Sequence, residues 1–297
     1  MIINKENIRG QIRENFNLSK LSWLGLGGNA KYYFIPEDID DLVRFLKQNL
    51  NKILIKVIGS GSNLLISDNG FDGVVVKLGK NFDYIKNDGL KIIAGGSALK
   101  SSVARFALEK NLGGLEFLNC IPGTVAGGVF MNAGCYGNDF SKIVSSVSIL
   151  NQDGSKKTLE NKQINFDYRS SIFKNLNSII LEINFKSEKS DKESILKKTQ
   201  IMLEKKKIDQ PQKIKTGGST FKNPKNKSKK AWEIIKDCGC EGFKVGNIRL
   251  SPLHVNFLEN LGNATAKDAE ALIEKIKQQV FYKSGIKLEL ELEMIGQ

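Results

Sequence analysis

Residues 57–76, VIGSGSNLLISDNGFDGVVV, carry an apolar run into Gly59-Ser60-Gly61-Ser62-Asn63 and leave through Asp72-Gly73 into a second apolar run. Glycine at 59 and 61 permits torsions that other residues avoid, and it lets a ligand come close to the main chain. Successive N–H groups in such a loop can converge into a nest that binds phosphate. The spacing is not the dinucleotide fingerprint. A third glycine is missing, and Leu64-Leu65-Ile66 followed by Ser67-Asp68-Asn69-Gly70 predicts strand and turn where a Rossmann unit needs a helix. Taken alone, the segment is as consistent with a tight turn as with a nucleotide site.

A second stretch, NCIPGTVAGGVFMNAGCYG at 119–137, is dense in glycine and alanine and shows neither helical nor strand periodicity. As plain connection it would be a long loop with a high entropic cost. Small residues at this density let main chain lie against a flat ligand. Together the two segments predict a cofactor with a pyrophosphate and a planar ring.

The surrounding pattern is α+β with mixed sheets. Ile39, Leu42, Val43 and Leu46 recur at helical spacing, and ILIKVI (53–58), GVVVKL (73–78) and KIIA (91–94) read as strands. Leu99, Val103, Phe106 and Ala107 predict a helix capped by Ser97 and closed by Gly113-Gly114. SVSILNQDGSKKTL predicts a hairpin turning at Asp153-Gly154, and SIILEINF (178–185) a strand. Ser190 and Glu193 suggest a capping box before a basic helix reaching about Lys207, with a domain boundary near 188–210. Further on, AWEIIKDC predicts a helix, and Thr265/Asp268 cap another with Leu272, Ile273, Ile276 and Val280 on one face and Gly285 at its end. KLELELEMIG alternates as a final strand with Glu289, Glu291 and Glu293 on one side.

Composition narrows the function classes. No apolar run approaches the roughly 18 residues that cross a bilayer. The start, MIINKENIRGQIREN, lacks a signal peptide's apolar centre, which predicts a cytoplasmic chain. The single histidine, His254, argues against a His-rich metal site and reads as structural; no metal is expected. Cys120, Cys135, Cys238 and Cys240 suit reduced thiols, and Cys238-Gly239-Cys240 has the wrong spacing for a zinc knuckle. The net charge of +13, concentrated between Lys189 and Lys230, suits an anionic partner, although those runs lack the interleaved aromatics of a single-strand binder.

IGSGSNLLISDNGFDGVVV and IPGTVAGGVFMNAGCYG resemble the flavin-binding loops of the UDP-N-acetylenolpyruvoylglucosamine reductase family. DYRSSIF (167–173), GGSTFKNP (217–224), SPLHVNFLEN (251–260) and the terminal ELEMIG resemble it too, in the family's order and over nearly the whole chain. The resemblance implies a non-Rossmann, PCMH-type FAD-binding fold of two subdomains (1–55 and 56–190) and a C-terminal α/β substrate-binding subdomain (191–297). It implies noncovalent FAD, held by Gly59, Ser60, Gly61, Ser62, Asn63, Leu64, Pro122, Gly123, Thr124, Gly127, Gly128, Asn132, Ala133 and Gly134. The implied reaction is NADPH-dependent reduction of UDP-N-acetylglucosamine enolpyruvate to UDP-N-acetylmuramate, in peptidoglycan precursor synthesis and hence cell-wall biogenesis. The implied enzyme is a monomeric bacterial oxidoreductase with no nucleic-acid or membrane partner. The short run from DYRSSIF to SIILEINF matches the shorter subclass. KKKIDQPQKIKTGG departs from the family by carrying lysines where an arginine usually precedes Gln-Pro, and Trp232 stands at an unusual helix start.

By the same resemblance Ser219 is an acid rather than a nucleophile. The substrate carbon that bears the carboxylate becomes basic once hydride has added next to it, so a neutral hydroxyl can protonate it without histidine. Arg169 would hold the carboxylate, Glu291 would stabilise the enol form, and Lys222 and Asn223 would contact phosphate and substrate. Residue pattern alone does not separate Glu291 from Glu289 or Glu293. Two other readings compete: a flavin oxidase or dehydrogenase of another alcohol, which needs a base instead of an acid, and a basic nucleic-acid binder, which leaves both glycine loops without a role.

Overall fold

The structure, a computed structural model, describes residues 3–49, 53–225 and 227–296. Its contacts divide the chain into two compact units. Unit 1 comprises Met1–Glu14, Tyr32–Ser60 and Gly73–Lys206, and unit 2 comprises Asn15–Lys31, Gly61–Asp72 and Lys207–Gln297.

The centre of unit 1 is an antiparallel sheet in the order Lys156–Glu160, Val144–Asn151, Ser178–Lys186, Lys91–Gly95, Ile85–Asp88. The hairpin forms as the Asp-Gly pair predicts: Leu150 faces Lys156, and Gly154 turns the chain at φ +83°. Both faces of the sheet are covered. Ile92, Val147, Ile183 and Phe185 pack with Val103, Val125, Val129 and Phe140 in one core. Leu150, Ile179 and Leu181 belong to a second core with Phe34, Leu42, Phe45, Val74 and Val76. That second core lies under a sheet ordered Gln11–Asn17, Asn29–Ile35, Phe71–Val76, Ile55–Val57 and the amphipathic helix Ile39–Asn49.

Three expectations are corrected in unit 1. Ser97 does not cap the helix Lys100–Glu109; Leu99 pairs with Thr124 in extended conformation, which delays the helix start, and the Ser97 hydroxyl donates to Gly79 O at 2.9 Å. The long basic helix, Lys192–Asp209, is capped by Asp191 rather than Ser190, since the Asp191 carboxylate accepts the Ser194 N–H at 2.8 Å. The glycine-rich stretch 119–137 holds a short helix, Val125–Met131, opened by the Thr124 hydroxyl and closed by Asn132 at φ +43°.

Unit 2 has a three-stranded antiparallel sheet, Lys244–Val245, Ile248–Leu250 and Leu258–Asn260. The helices Ala231–Asp237 and Ala266–Ser284 accompany it. Leu272, Ile273, Ile276 and Val280 are buried with Ile234, Ile235 and Leu250, as their spacing predicts. Thr265 and Asp268 make the reciprocal capping box at 3.0 Å each way, and Gly285 ends the helix at φ +67°. The final segment is less regular than its alternation suggests. Only Glu293–Ile295 is strand, parallel to Leu64–Ile66, while Leu288 and Leu292 still point into the core.

Among the described residues, no group of three or more His, Cys, Asp or Glu side chains could hold a metal. Among the same residues, no helix is long and apolar enough to cross a membrane.

Candidate active site

Ile58 N–H donates to Val76 O at 3.0 Å and delivers the chain to Gly59. A Cβ at Gly59 would stand 2.4 Å from Thr124 Oγ1, and one at Gly61, whose φ is +73°, only 1.7 Å from Leu21 O. The protein's own close packing therefore requires both glycines. Their main-chain donors are another matter. The N–H groups of Gly59, Ser60 and Gly61 donate to nothing among the described residues, and Gly61 is buried. Buried amides rarely go unpaired. Gly59 and Ser60, consecutive in unit 1, leave two main-chain donors that suit an anionic group. Ser62 follows them in the loop. Beyond it, Asn63 accepts from Glu293 N–H at 3.0 Å and donates through its side chain to Glu291 O at 2.9 Å, and Leu64 enters the parallel strand pair.

In unit 1, Lys100 N–H is held by Gly123 O at 3.0 Å, beside Pro122 and at φ +103°. Gly128 lies against Phe140 so closely that a Cβ would meet the ring at 2.1 Å; Gly127 has only Thr124 Oγ1 near, at 3.4 Å. Asn132, 4% exposed, joins two segments: its amide donates to Asp167 O at 2.9 Å and its carbonyl accepts Ser141 N–H at 2.9 Å. The first of these bonds holds the tight turn Asp167–Ser170, where Arg169 sits at φ +52°. Its guanidinium donates to Gly134 O at 2.8 Å and lies 5.1 Å from the Tyr168 ring. Ala133 O, next to Gly134, accepts Phe140 N–H at 3.1 Å. Arg169 is thus fixed to the glycine-rich segment.

The other expected catalytic residues lie in unit 2. Thr216-Gly217-Gly218-Ser219 turns at Gly218, φ +81°, and a Cβ at Gly217 would stand 2.7 Å from Leu292 Cδ2 and force that side chain to shift. Ser219 pairs with Phe257 and Phe221 with Leu290. Thr220 N–H donates to Asn256 O at 2.7 Å, and Glu291 N–H donates to Thr220 O at 2.9 Å. These bonds set the main chains of Ser219 and Glu291 beside one another. The Ser219 hydroxyl is half-buried and hydrogen-bonds to no group among the described residues, so it is not occupied in stabilising its own turn.

The three glutamates, equivalent by pattern, differ here. Glu289 is exposed and its carboxylate lies 3.4 Å from the Lys222 ammonium, whereas Glu291 and Glu293 are both half-buried, and of these Glu291 lies next to the serine strand. Asn223 has a structural bond, its side-chain oxygen accepting the N–H of Ala231 at the helix start, 3.0 Å. Burial pushes the His254 pKa below its usual value; its Nδ1 accepts Asn256 N–H at 3.2 Å and its ring packs 4.7 Å from Phe257.

Two residues escape sequence reasoning. Asn256 brackets Phe221, accepting its N–H at 2.9 Å and donating to its O at 2.8 Å, and so places the strand next to Ser219. Only its place in the quoted SPLHVNFLEN run hinted at it. Lys100, in the first turn of a helix where a lysine normally faces water, is 4% exposed.

Comparison with known proteins finds relatives along the whole chain. Residues 30–160 match the family model for an FAD binding domain, and residues 210–295 match that for the C-terminal domain of UDP-N-acetylenolpyruvoylglucosamine reductase. The enzyme of that name from Rickettsia prowazekii (strain Madrid E) is 44% identical over 290 residues, 97% of each chain. Its counterpart from Orientia tsutsugamushi (strain Boryong) is 44% identical, covering 99% of this chain and 98% of its own. The crystal structure of UDP-N-acetylenolpyruvylglucosamine reductase from Thermus caldophilus superposes with a TM-score of 0.83 at 30% identity, covering 97% of this chain and 99% of that one. With an FAD-binding domain, a matching C-terminal domain and relatives similar from end to end, the chain belongs to the UDP-N-acetylenolpyruvoylglucosamine reductase family.

Proposed function

We propose that the protein reduces UDP-N-acetylglucosamine enolpyruvate to UDP-N-acetylmuramate with NADPH, as a monomeric bacterial enzyme of the cytoplasm with no nucleic-acid partner. Bound FAD supplies the hydride that passes from NADPH to the alkene. The N–H groups of Gly59, Ser60 and Gly61 would hold its phosphates, and the 122–134 segment its ring. On this reading the FAD-binding part runs through 1–190 and the substrate-binding part through 191–297.

Ser219 donates its hydroxyl proton to the carbon bearing the carboxylate. Arg169, whose planar fork suits a carboxylate, binds that group and spreads the charge that develops on it. Glu291 stabilises the enol form, and Lys222 offers a compact cation to the diphosphate. The observation that carries the reading is the half-buried Ser219 hydroxyl, with no hydrogen bond to any group among the described residues, held by its main chain beside Glu291.

The test is turnover in deuterium oxide with NADPH and the enolpyruvyl substrate. NADPH should be consumed only when substrate is present, and the product should carry deuterium on the carbon that bears the carboxylate. NADPH loss without substrate reduction, or a product unlabelled at that carbon, contradicts the proposal.

A further inference from the structure

Trp232 is the second residue of the helix Ala231–Asp237 in unit 2. Ile234 and Ile235 of that helix are buried, yet Trp232 stays 38% exposed. A single exposed apolar side chain is ordinary, but two sets of contacts tie this one to the Ser219 loop. Its indole packs against the His254 ring, with centroids 6.1 Å apart and planes tilted by 57°. His254 in turn packs 4.7 Å from Phe257, the residue that pairs with Ser219. The second tie is through the helix start, where Ala231 N–H donates at 3.0 Å to the side-chain oxygen of Asn223, the neighbour of Lys222. Lys227, Lys229 and Lys230, all exposed, lead into the helix. An aromatic ring with open surface, among cations and linked to the loop that carries Ser219, suits the base of a nucleotide.

We propose that the Trp232 indole, backed by His254, is the platform on which the uracil of the substrate stacks. The inference rests on the UDP-sugar reading given above. In that substrate the enolpyruvyl group and the uracil lie at opposite ends, with the sugar and the diphosphate between them. Unit 2 offers the same sequence of groups: Ser219 for the alkene end, Lys222 for the diphosphate, and then the indole, reached through Asn223 and Ala231. Stacking needs only a flat π face, and it acts far from the reacting carbons. It therefore holds ground state and transition state alike, and works through KM rather than kcat. The adenine of NADPH has the same stacking chemistry, so the two bases are separated by experiment.

The flavin-loaded wild type, Trp232→Ala and Trp232→Tyr are titrated by calorimetry with UDP, ADP and inorganic pyrophosphate. Trp232→Ala should bind UDP about tenfold more weakly or worse, Trp232→Tyr should keep most of the affinity, and pyrophosphate should bind all three alike. In Trp23→Phe, which leaves Trp232 as the only tryptophan, UDP should quench the indole fluorescence. In turnover, Trp232→Ala should raise KM for the enolpyruvyl substrate by a similar factor, with a much smaller change in kcat. Unchanged UDP affinity in Trp232→Ala would overturn the proposal. So would an equal loss for pyrophosphate, which would trace the effect to the phosphate contacts, or a loss confined to ADP, which would assign the indole to the adenine of NADPH. None of these titrations involves the Ser219 proton, so a failed Ser219 assignment leaves them intact. A wild type that binds no UDP would overturn both this inference and the UDP-sugar reading.

Discussion

Asn256 and Lys100 show how single side chains set the properties of their surroundings. Asn256 supplies both an acceptor and a donor to Phe221, a side chain that is 1% exposed. Truncation to alanine leaves both amide groups of Phe221 unpaired in the interior. Asn256→Ala should cost about 3 kcal/mol, seen as a lower urea midpoint, and should slow turnover because the Ser219 strand loses its anchor. Lys100 faces the opposite problem. Burial lowers its pKa from 10.5 to about 7, so between those values the unfolded chain binds a proton that the native chain does not. Stability contributed through this group therefore rises with pH across that window, by up to about 1.4 kcal/mol per pH unit, and below it the native state must bury a charge. Lys100→Met should be more stable than wild type at pH 6, with the advantage shrinking toward pH 10. Parallel stability–pH curves for the two proteins would refute this account of Lys100.

At the scale of elements, local chemistry decides some boundaries and tertiary pairing the others. Thr265 and Asp268 lie three residues apart and satisfy each other, so the start of the helix Ala266–Ser284 is legible in the sequence. Asp68 adds two more acceptors there, taking Ala266 N–H at 2.8 Å and Lys267 N–H at 3.0 Å, and nothing near Thr265 announces it. Thr265→Ala should therefore destabilise by about 1 kcal/mol, with the denaturant slope unchanged. A loss several times larger would mean that Asp68 cannot hold the helix start without the hydroxyl. The pattern points to caps at Ser97 and Ser190, but each helix start depends on more than its local sequence: Leu99 is kept extended by Thr124, and Asp191 competes one residue on. The helix Val125–Met131 was hidden because Gly127-Gly128 silences the apolar periodicity, although Gly128 is what lets Phe140 pack against it.

On the scale of the whole molecule, distant segments carry the chemistry. Unit 2 gathers Asn15–Lys31 and Gly61–Asp72 with the C-terminal residues, and the side chain of Asn63 reaches Glu291 O across 228 positions. Such pairings leave no mark in a local window. The glycine motifs are legible because close approach demands their residue types: Gly59 by Thr124 and Gly61 by Leu21. Arg169, by contrast, could be named from its motif but not placed, since its bond to Gly134 spans 35 positions. Glu291 and Glu289 are equivalent in the sequence pattern and differ in the structure by burial and by the Glu289–Lys222 pair.

The account rests on a proton that comes from Ser219. The direct measurement is rapid-mixing kinetics of Ser219→Ala with its cofactor bound, monitoring flavin reduction by NADPH and flavin reoxidation by substrate separately. The first half-reaction should keep its wild-type rate, while the second should slow by about two orders of magnitude or more. Reoxidation by substrate at near wild-type speed would contradict the assignment.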